Sequence, residues 1–184
     1  EKVEPDTTCF AFVGDSTFFA SAITGVVNAV YNQANMVLVV LDNSTTAMTG
    51  HQPHPGTGRT VMGEIVQKIN IEQVLRGIGV TEIETINPLE LEASVSCVKR
   101  MAEKSGVRAI IFKAPCIAVT RPKAPLHVDQ DSCIGCKKCI RDLGCPAIVM
   151  NDGKICIDAS MCTGCHLCSQ VCPVCAIAGG DDHE

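Results

Sequence analysis

The sequence predicts an α/β layer with a largely parallel sheet, followed by a small cysteine-rich α+β domain, on three observations. Short continuous apolar runs alternate with segments of helical period over the first two-thirds of the chain. A proline-bearing stretch, residues 120–129, then interrupts that pattern. Beyond it lie ten of the 13 cysteines, all between Cys133 and Cys175. Strands alternating with helices mean βαβ units and hence parallel strands.

Taken in order, TCFAFV (8–13) and MVLVVL (36–41) read as buried parallel strands, whose continuous apolar character reflects cover on both faces. Between them Phe19, Ile23, Val26, Val27 and Val30 recur at helical spacing, completing a first βαβ unit. Residues 60–77 read as helix, 80–86 as strand, 88–105 as helix ending before Gly106, and 107–112 as strand. Residues 42–60 hold Gly50, Pro53, Pro55, Gly56 and Gly58 but no hydrophobic period. Loops of such length tend to be functional, and this one leaves the carboxyl end of a strand, where open α/β sheets bind ligands. The domain reading is therefore 1–120 for the α/β layer, 121–128 for a linker and 129–184 for the cysteine-rich domain. The chain begins without methionine, a few residues before its first strand, and reads as processed or incomplete.

Composition narrows the function classes. At 46% hydrophobic residues the chain has material for a packed core and is not a disordered segment. A net charge of −5 with no basic stripe gives no reason to expect nucleic acid. No apolar run reaches the length of a membrane span, so no membrane partner is expected. An odd number of cysteines in C-x-x-C steps is a poor disulfide framework and a good metal framework. That implies a reducing, cytoplasmic environment.

The cysteine-rich part carries an internal repeat: SCIGCKKC from Ser132 matches MCTGCHLC from Met161 at an offset of 29. Cys162, Cys165, Cys168 and Cys172, followed by Pro173, give C-x2-C-x2-C-x3-C-P, the bacterial ferredoxin run whose fourth cysteine ligates the other cluster. Structural zinc more often takes two C-x-x-C pairs, whereas each half here offers three cysteines plus one. The crossed pattern predicts one 4Fe-4S cluster on Cys133, Cys136, Cys139 and Cys172, and a second on Cys162, Cys165, Cys168 and Cys145. In the first half, five residues rather than three precede Cys145, yet Ala147-Ile148 again matches Ala176-Ile177 at 29. Two residues added before Cys145 are thus balanced by two removed after it. Cys156 and Cys175 are left over and read as small buried residues in the cluster-packed core.

VGDS, Val13 to Ser16, ends the first strand and opens a helix; LDNST, Leu41 to Thr45, ends the second. A single Gly-Asp-Ser is weak evidence, because many strand-to-helix turns use these residues. The pairing is stronger, since one crossover lets both polar groups converge. Asp15 and Asn43 are hard oxygen donors suited to Mg2+, and a helix starting near Ser16 presents free N–H groups to a diphosphate. Elsewhere, the acidic run 82–92 reads as solvated surface and Cys116 as structural, while His51 and His54 are candidate contacts to substrate or cofactor.

Gly14-Asp15-Ser16, then 25 residues, then Asp42-Asn43, looks like the thiamine diphosphate motif, with Ser16 in place of Gly and Asp42 in place of the first Asn. The longer string GDSTFF…NAVYN…LDNSTTAMTGHQPHPGTG resembles the alpha subunits of the indolepyruvate:ferredoxin oxidoreductase family, thiamine-dependent 2-oxoacid oxidoreductases. That family also has a lengthened first cluster motif. The resemblance implies an incomplete thiamine diphosphate-binding layer followed by a two-cluster bacterial ferredoxin-like domain. It implies Mg2+ on Asp15, Asn43 and the Thr45 carbonyl, and cofactor contacts from Gly14, Ser16, Met48 and Gly50. It further implies oxidative decarboxylation of aryl pyruvates to aryl-acetyl-CoA, with coenzyme A as co-substrate and electrons passing through two 4Fe-4S clusters to external ferredoxin. The implied partners are a beta subunit and an upstream aminopyrimidine-binding domain, without which this segment is not catalytically complete. The competing expectation is an electron-transfer subunit of such a complex that lacks thiamine chemistry of its own.

Overall fold

The computed structural model describes residues 7–179, and these fall into two compact units that divide between Ala118 and Val119. In the first, strands β1 (Cys9–Gly14), β2 (Met36–Asp42), β3 (Glu82–Ile86) and β4 (Val107–Lys113) form one sheet in the order β1-β2-β4-β3. Every pairing is parallel. The βαβ reading anticipated this.

Burial follows the pleat. Leu38, Val40, Ala109 and Ile111 face one core, closed by Phe18, Val26, Ile71 and Leu75. Val37, Val39 and Ile110 face the other, closed by Cys97 and Met101. Successive strand residues point to opposite faces, so β2 and β4 need apolar residues at consecutive positions. The first core is covered by a long helix: α1 (Asp15–Thr17), a π-helical stretch (Phe18–Ala22) and α2 (Ile23–Tyr31). Helix α3 (Ile71–Ile78) completes it, and α4 (Leu91–Glu103) covers the second core.

Two expectations are corrected. Strand β1 is an edge strand paired only with β2, and Phe12 is 68% exposed, so this run is not buried on both faces. Residues 60–70 are not helical. Gly63 takes a left-handed φ of 91°, and Thr60 and Glu64 bond to one another through the backbone. Asn70 caps α3 only afterwards, its side chain accepting from the Gln73 amide at 3.1 Å. Val61, Met62 and Ile65 keep a helix-like spacing but stand exposed. The acidic run is surface, as expected, though Glu84 pairs with Arg100 and Glu82 with Lys104 across β3 and α4.

One buried cation holds the amino edge of this unit. Arg108 is 0% exposed; its Nε donates to the Met101 carbonyl at 3.0 Å, and its Nη1 reaches Asn35 Oδ1 and the Gly106 carbonyl. It thereby ties the end of α4 to the turns before β2 and β4. Replacing it with Met takes this donor from the buried Met101 carbonyl, while the Gly106 carbonyl keeps its bond from Met36 N, so Arg108→Met is expected to lower stability by about 1.5 kcal/mol. Urea unfolding measures this; a loss under about 1 kcal/mol would show that these bonds are weak.

The second unit is a pair of repeats in space as well as in sequence. Strand β5 (His127–Val128) pairs antiparallel with β8 (Ile177–Ala178), and β6 (Ile148–Asn151) pairs with β7 (Lys154–Ile157) through a left-handed Asp152-Gly153 turn. Val128↔Ile177 and Ile157↔Ile148 are the same pairing displaced by the repeat offset. Helices α5 (Lys138–Leu143) and α6 (Leu167–Val171) both start after a left-handed residue, Lys137 at φ 59° and His166 at φ 61°. The Asp129 amide donates to the Ala176 carbonyl and the Asp158 amide to the Ala147 carbonyl, each at 2.8 Å. Each half is therefore tied to the other by equivalent bonds.

Candidate functional site

At the carboxyl edge of the first sheet the two strand-end loops meet. Asp15, 3% exposed, accepts from its neighbour's amide (Ser16 N, 2.8 Å) and, through Oδ2, from Ser44 N on the β2 loop at 2.8 Å. Ser44 can present that amide because its backbone is left-handed, φ 60°, and Asp42 Oδ1 accepts from the same residue's N and Oγ. The Thr46 hydroxyl donates to Ser16 Oγ at 3.0 Å, and the Thr45 amide to Asn43 Oδ1 at 3.2 Å. Gly14, Asp15, Ser16, Asn43 and Thr45 are thus gathered into one place. Met48 and Gly50 are not: they lie on an outer 3-10 turn, with Met48 fully exposed and Gly50 left-handed at φ 113°.

The two loop histidines part company. His51 is exposed. His54 is buried and turned inward: its ring stacks on Phe19 at 5.8 Å, Nδ1 accepts from Gly56 N at 3.2 Å, and Nε2 lies 3.2 Å from Asp15 Oδ2. That approach is close enough for electrostatic attraction but is not aligned as a hydrogen bond. Gly56 is required here because a side-chain carbon would lie 2.9 Å from the Phe19 ring. A cavity of about 430 Å3 opens beside His54, lined also by Asp42, Thr85, Lys68 and Lys113.

The two carboxylates differ. Burial pushes the pKa of Asp15 up, and Asp42 adds to the effect, while the Ser16 and Ser44 amides and His54 oppose it without prevailing. Asp42 is also desolvated, but the Lys113 ammonium at 3.1 Å, with Ser44, holds its pKa below the ordinary value. Asp15 is therefore a buried carboxylate short of positive charge. Asn43 and Thr45 flank the Ser44 amide that bonds Asp15, and the oxygens these residues carry are of the hard type that suits a divalent cation such as Mg2+. The sequence reading did not single out Lys113 and placed Phe19 only on the apolar face of the first helix; the lysine at the end of VRAIIFK was the available signal for the first.

In the second unit one cavity is lined by Cys133, Cys136, Cys139 and Cys172, and another by Cys145, Cys162, Cys165 and Cys168. Among the described residues no three His, Cys, Asp or Glu side chains close around a single point. The thiols nevertheless sense one another in these same sets. Burial pushes the Cys139 thiol up, and Cys136 and Cys172 add to it. Burial likewise pushes Cys168 up to about 11, with Cys165, Cys162 and Cys145 adding. Four thiols sharing one cavity are a donor set that fits iron–sulfur. Of the leftover cysteines, Cys156 is half-buried, whereas Cys175 is exposed and left-handed at φ 52°, which corrects its reading as a buried residue.

The shifted spacing has a visible cause. Helix α5 runs one residue longer than α6, through Leu143, and Gly144 at φ 57° then turns the chain so that Cys145 enters the cavity. Val174 and Cys175 restore the length on the other side.

Two residues missed from the sequence are Asp129 and Asp158, also 29 apart, each ahead of a cysteine loop. Their carbonyls accept from Cys133 N and Cys162 N, both at 3.0 Å. The Ser132 hydroxyl, with the Asp131 amide, holds the Asp129 pKa below its ordinary 3.8; the Ser160 hydroxyl and amide do the same for Asp158. Stability from a depressed carboxylate is fully present above the unfolded value and lost as pH falls through the folded one. The part of the acid-unfolding limb that these two carboxylates contribute is therefore expected to lie below pH 3.8. Asp129→Asn with Asp158→Asn should flatten it when followed by circular dichroism, and an unchanged limb would contradict the assignment.

A cofactor-binding edge on a parallel sheet, joined to a unit with two sets of four thiols, defines a class: a redox chain with an organic cofactor domain and an electron-relay domain. The chain belongs to the thiamine pyrophosphate enzymes, for residues 1–112 match the family described as "Thiamine pyrophosphate enzyme, C-terminal TPP binding domain". Residues 126–173 match a 4Fe-4S dicluster domain. The chain is similar to "Indolepyruvate oxidoreductase subunit IorA" of Methanothermobacter thermautotrophicus, 46% identical over 170 residues covering 91% of this chain and 27% of that one. The subunits of the same description from Methanothermobacter marburgensis and Archaeoglobus fulgidus are 44% and 40% identical, each over 91% of this chain and covering 27% and 28% of theirs. The chain thus spans 27–28% of the length of these curated relatives. No helix among the described residues is long and apolar enough to cross a membrane.

Proposed function

We propose that this chain is the thiamine-binding and electron-relay portion of a 2-oxoacid oxidoreductase acting on aryl pyruvates of the indolepyruvate type. With coenzyme A as co-substrate, the products are the aryl-acetyl-CoA, CO2, a proton and two electrons, the electrons relayed one at a time through two 4Fe-4S clusters to a ferredoxin. The observation that carries the reading is the sorting of eight cysteines into two crossed sets within one unit, in a chain that also carries a family-defining thiamine domain. One-electron centres are superfluous to a simple decarboxylase; they suit an enzyme that must oxidise what thiamine chemistry leaves behind. The substrate class is supported by the description that the similar subunits carry.

Thiamine diphosphate, when bound, supplies the electron sink that allows CO2 to leave. Asp15, Asn43 and the Thr45 carbonyl are the residues that would hold Mg2+ against the diphosphate. Amides at the start of the helix beginning at Asp15 face the same edge. His54, fixed by Phe19 and the Gly56 amide, sets the position of the Asp15 carboxylate rather than meeting substrate. Lys113 keeps Asp42 ionised, and Asp42 holds the Ser44 turn that reaches Asp15. Cys133, Cys136, Cys139 and Cys172 would hold one cluster, and Cys145, Cys162, Cys165 and Cys168 the other. The pyrimidine-binding domain and a second subunit are supplied by the rest of the assembly.

The test is a substrate panel on the assembled complex with coenzyme A and a ferredoxin. Aryl pyruvates are expected to exceed aliphatic 2-oxo acids by at least about 100-fold in kcat/KM, the size of a filled apolar pocket. Equal or reversed preference would remove the aryl part of the proposal.

A further inference from the structure

The repeat gives every residue of one cysteine loop a counterpart 29 positions on, so the two loops can be compared directly. Gly135 and Gly164 share a left-handed φ, 64° and 67°. A side-chain carbon on Gly164 would lie 2.7 Å from the Ala124 carbonyl oxygen and from Lys123 Cβ, because the chain crosses that loop; on Gly135 it would meet nothing within 4 Å. The Thr163 carbonyl is taken by the Lys123 amide, whereas its counterpart Ile134 is 66% exposed. Cys136 is exposed where Cys165 is half-buried. One thiol set is thus open to a partner and the other is covered by its own chain.

Charge separates them as well. Lys137, Lys138 and Arg141 stand where the second repeat has His166, Leu167 and Gln170. Lys138 pairs with Asp142 one turn on, and Lys137 and Arg141 form no ion pair with any described residue. Three cations against the single carboxylate of Asp142 leave residues 137–142 net positive in a chain of net charge −5.

We infer that electrons leave through the set Cys133, Cys136, Cys139 and Cys172, and that Lys137, Lys138 and Arg141 around its open loop dock an acidic one-electron carrier protein. This rests on the reading that the set holds a 4Fe-4S cluster. The Ala176 amide donates to Cys172 Sγ at 3.3 Å. Amide bonds to cluster sulfurs and contact with water both favour the more negative, reduced state, so an electron shared by the two sets resides on the open one. Among the described residues Cys145 Sγ accepts no such amide; Cys145 stands two residues before Ala147 where Cys172 stands four before Ala176. The exchange moves one electron: the cluster is oxidised, the carrier's metal centre is reduced, and no bond or proton changes. A ring of cations beside an exposed redox centre steers an acidic partner and makes the encounter salt-dependent.

The experiment uses the full chain, anaerobically reconstituted with iron and sulfide, reduced stoichiometrically and mixed rapidly with an acidic plant-type 2Fe-2S ferredoxin as probe. Lys138→Glu with Arg141→Glu is expected to slow reduction of the probe about tenfold at low salt, with the difference vanishing at high salt. Iron content and the EPR of the reduced chain should be unchanged. Arg141→Gln, which installs the residue found at the counterpart position, should give a smaller loss in the same direction, and Gln170→Glu none. Rates unaffected by either substitution at Arg141 in iron-replete protein, or an equal loss in Gln170→Glu, would overturn the docking site. Failure of the wild-type chain to take up iron would instead overturn the cluster reading beneath it.

Discussion

Replacing Cys145 with serine is expected to remove the cluster shared with Cys162, Cys165 and Cys168, lowering iron from about eight towards about four per chain. The competing arrangement is sequential: Cys145 would complete the set that precedes it, and Cys172 its own run. Pairs of substitutions separate the two, because residues that serve one site are not additive while residues of independent sites are. In the crossed arrangement Cys145→Ser with Cys165→Ser costs no more iron than either alone, and Cys145→Ser with Cys136→Ser costs nearly all of it. The sequential arrangement reverses both results. Cys145 shares its cavity with the second set and contributes to raising the Cys168 thiol, so the crossed outcome is the expected one. EPR of the reduced protein should also lose the signature of interacting centres.

Asp15→Ala is expected to weaken thiamine diphosphate binding with Mg2+ by about 100-fold or more in the assembled complex, since under the proposed function it deletes a direct ligand rather than a supporting group. The carboxylate also anchors the Ser44 amide, so both loops lose their fixed point. Asp15→Asn keeps hydrogen-bonding oxygen but not the charge, and should retain the fold while losing most of the affinity. Ser16→Gly should be nearly neutral, because it removes the side-chain bond with Thr46 and keeps the amide that donates to Asp15. If Asp15→Asn bound the cofactor normally, the donor set would have to be sought elsewhere on the sheet edge.

What could be read from the sequence had a period or a spacing behind it. The parallel sheet followed from the continuous apolar runs at 36–41 and 107–112, which need cover on both faces. The meeting of Asp15 with the Asn43 loop followed from a single crossover. The cysteine sets followed from arithmetic at 29. Features without such a signature were missed or misread. Residues 60–70 have helix-like apolar spacing, but Gly63 and the Thr60–Glu64 bonds turn the chain, and propensity yields to local backbone pairing. β1 looks like β2 in composition, and only its place at the sheet edge exposes Phe12. The division between His51 and His54 depends on the Phe19 ring, far away in sequence and adjacent in space. Asp129 and Asp158 were within reach, because the repeat that aligned the cysteines also aligns them.

The central claim is that thiamine chemistry in the first unit feeds electrons to the clusters of the second. Its most direct measurement is the EPR and visible absorbance of the assembled complex after addition of an aryl pyruvate and coenzyme A, with no external acceptor present. The account predicts reduction of the clusters that requires thiamine diphosphate and Mg2+ and is lost in Asp15→Asn. Oxidised, intact clusters in the presence of bound thiamine diphosphate and substrate, or reduction that proceeds without the cofactor, would contradict it.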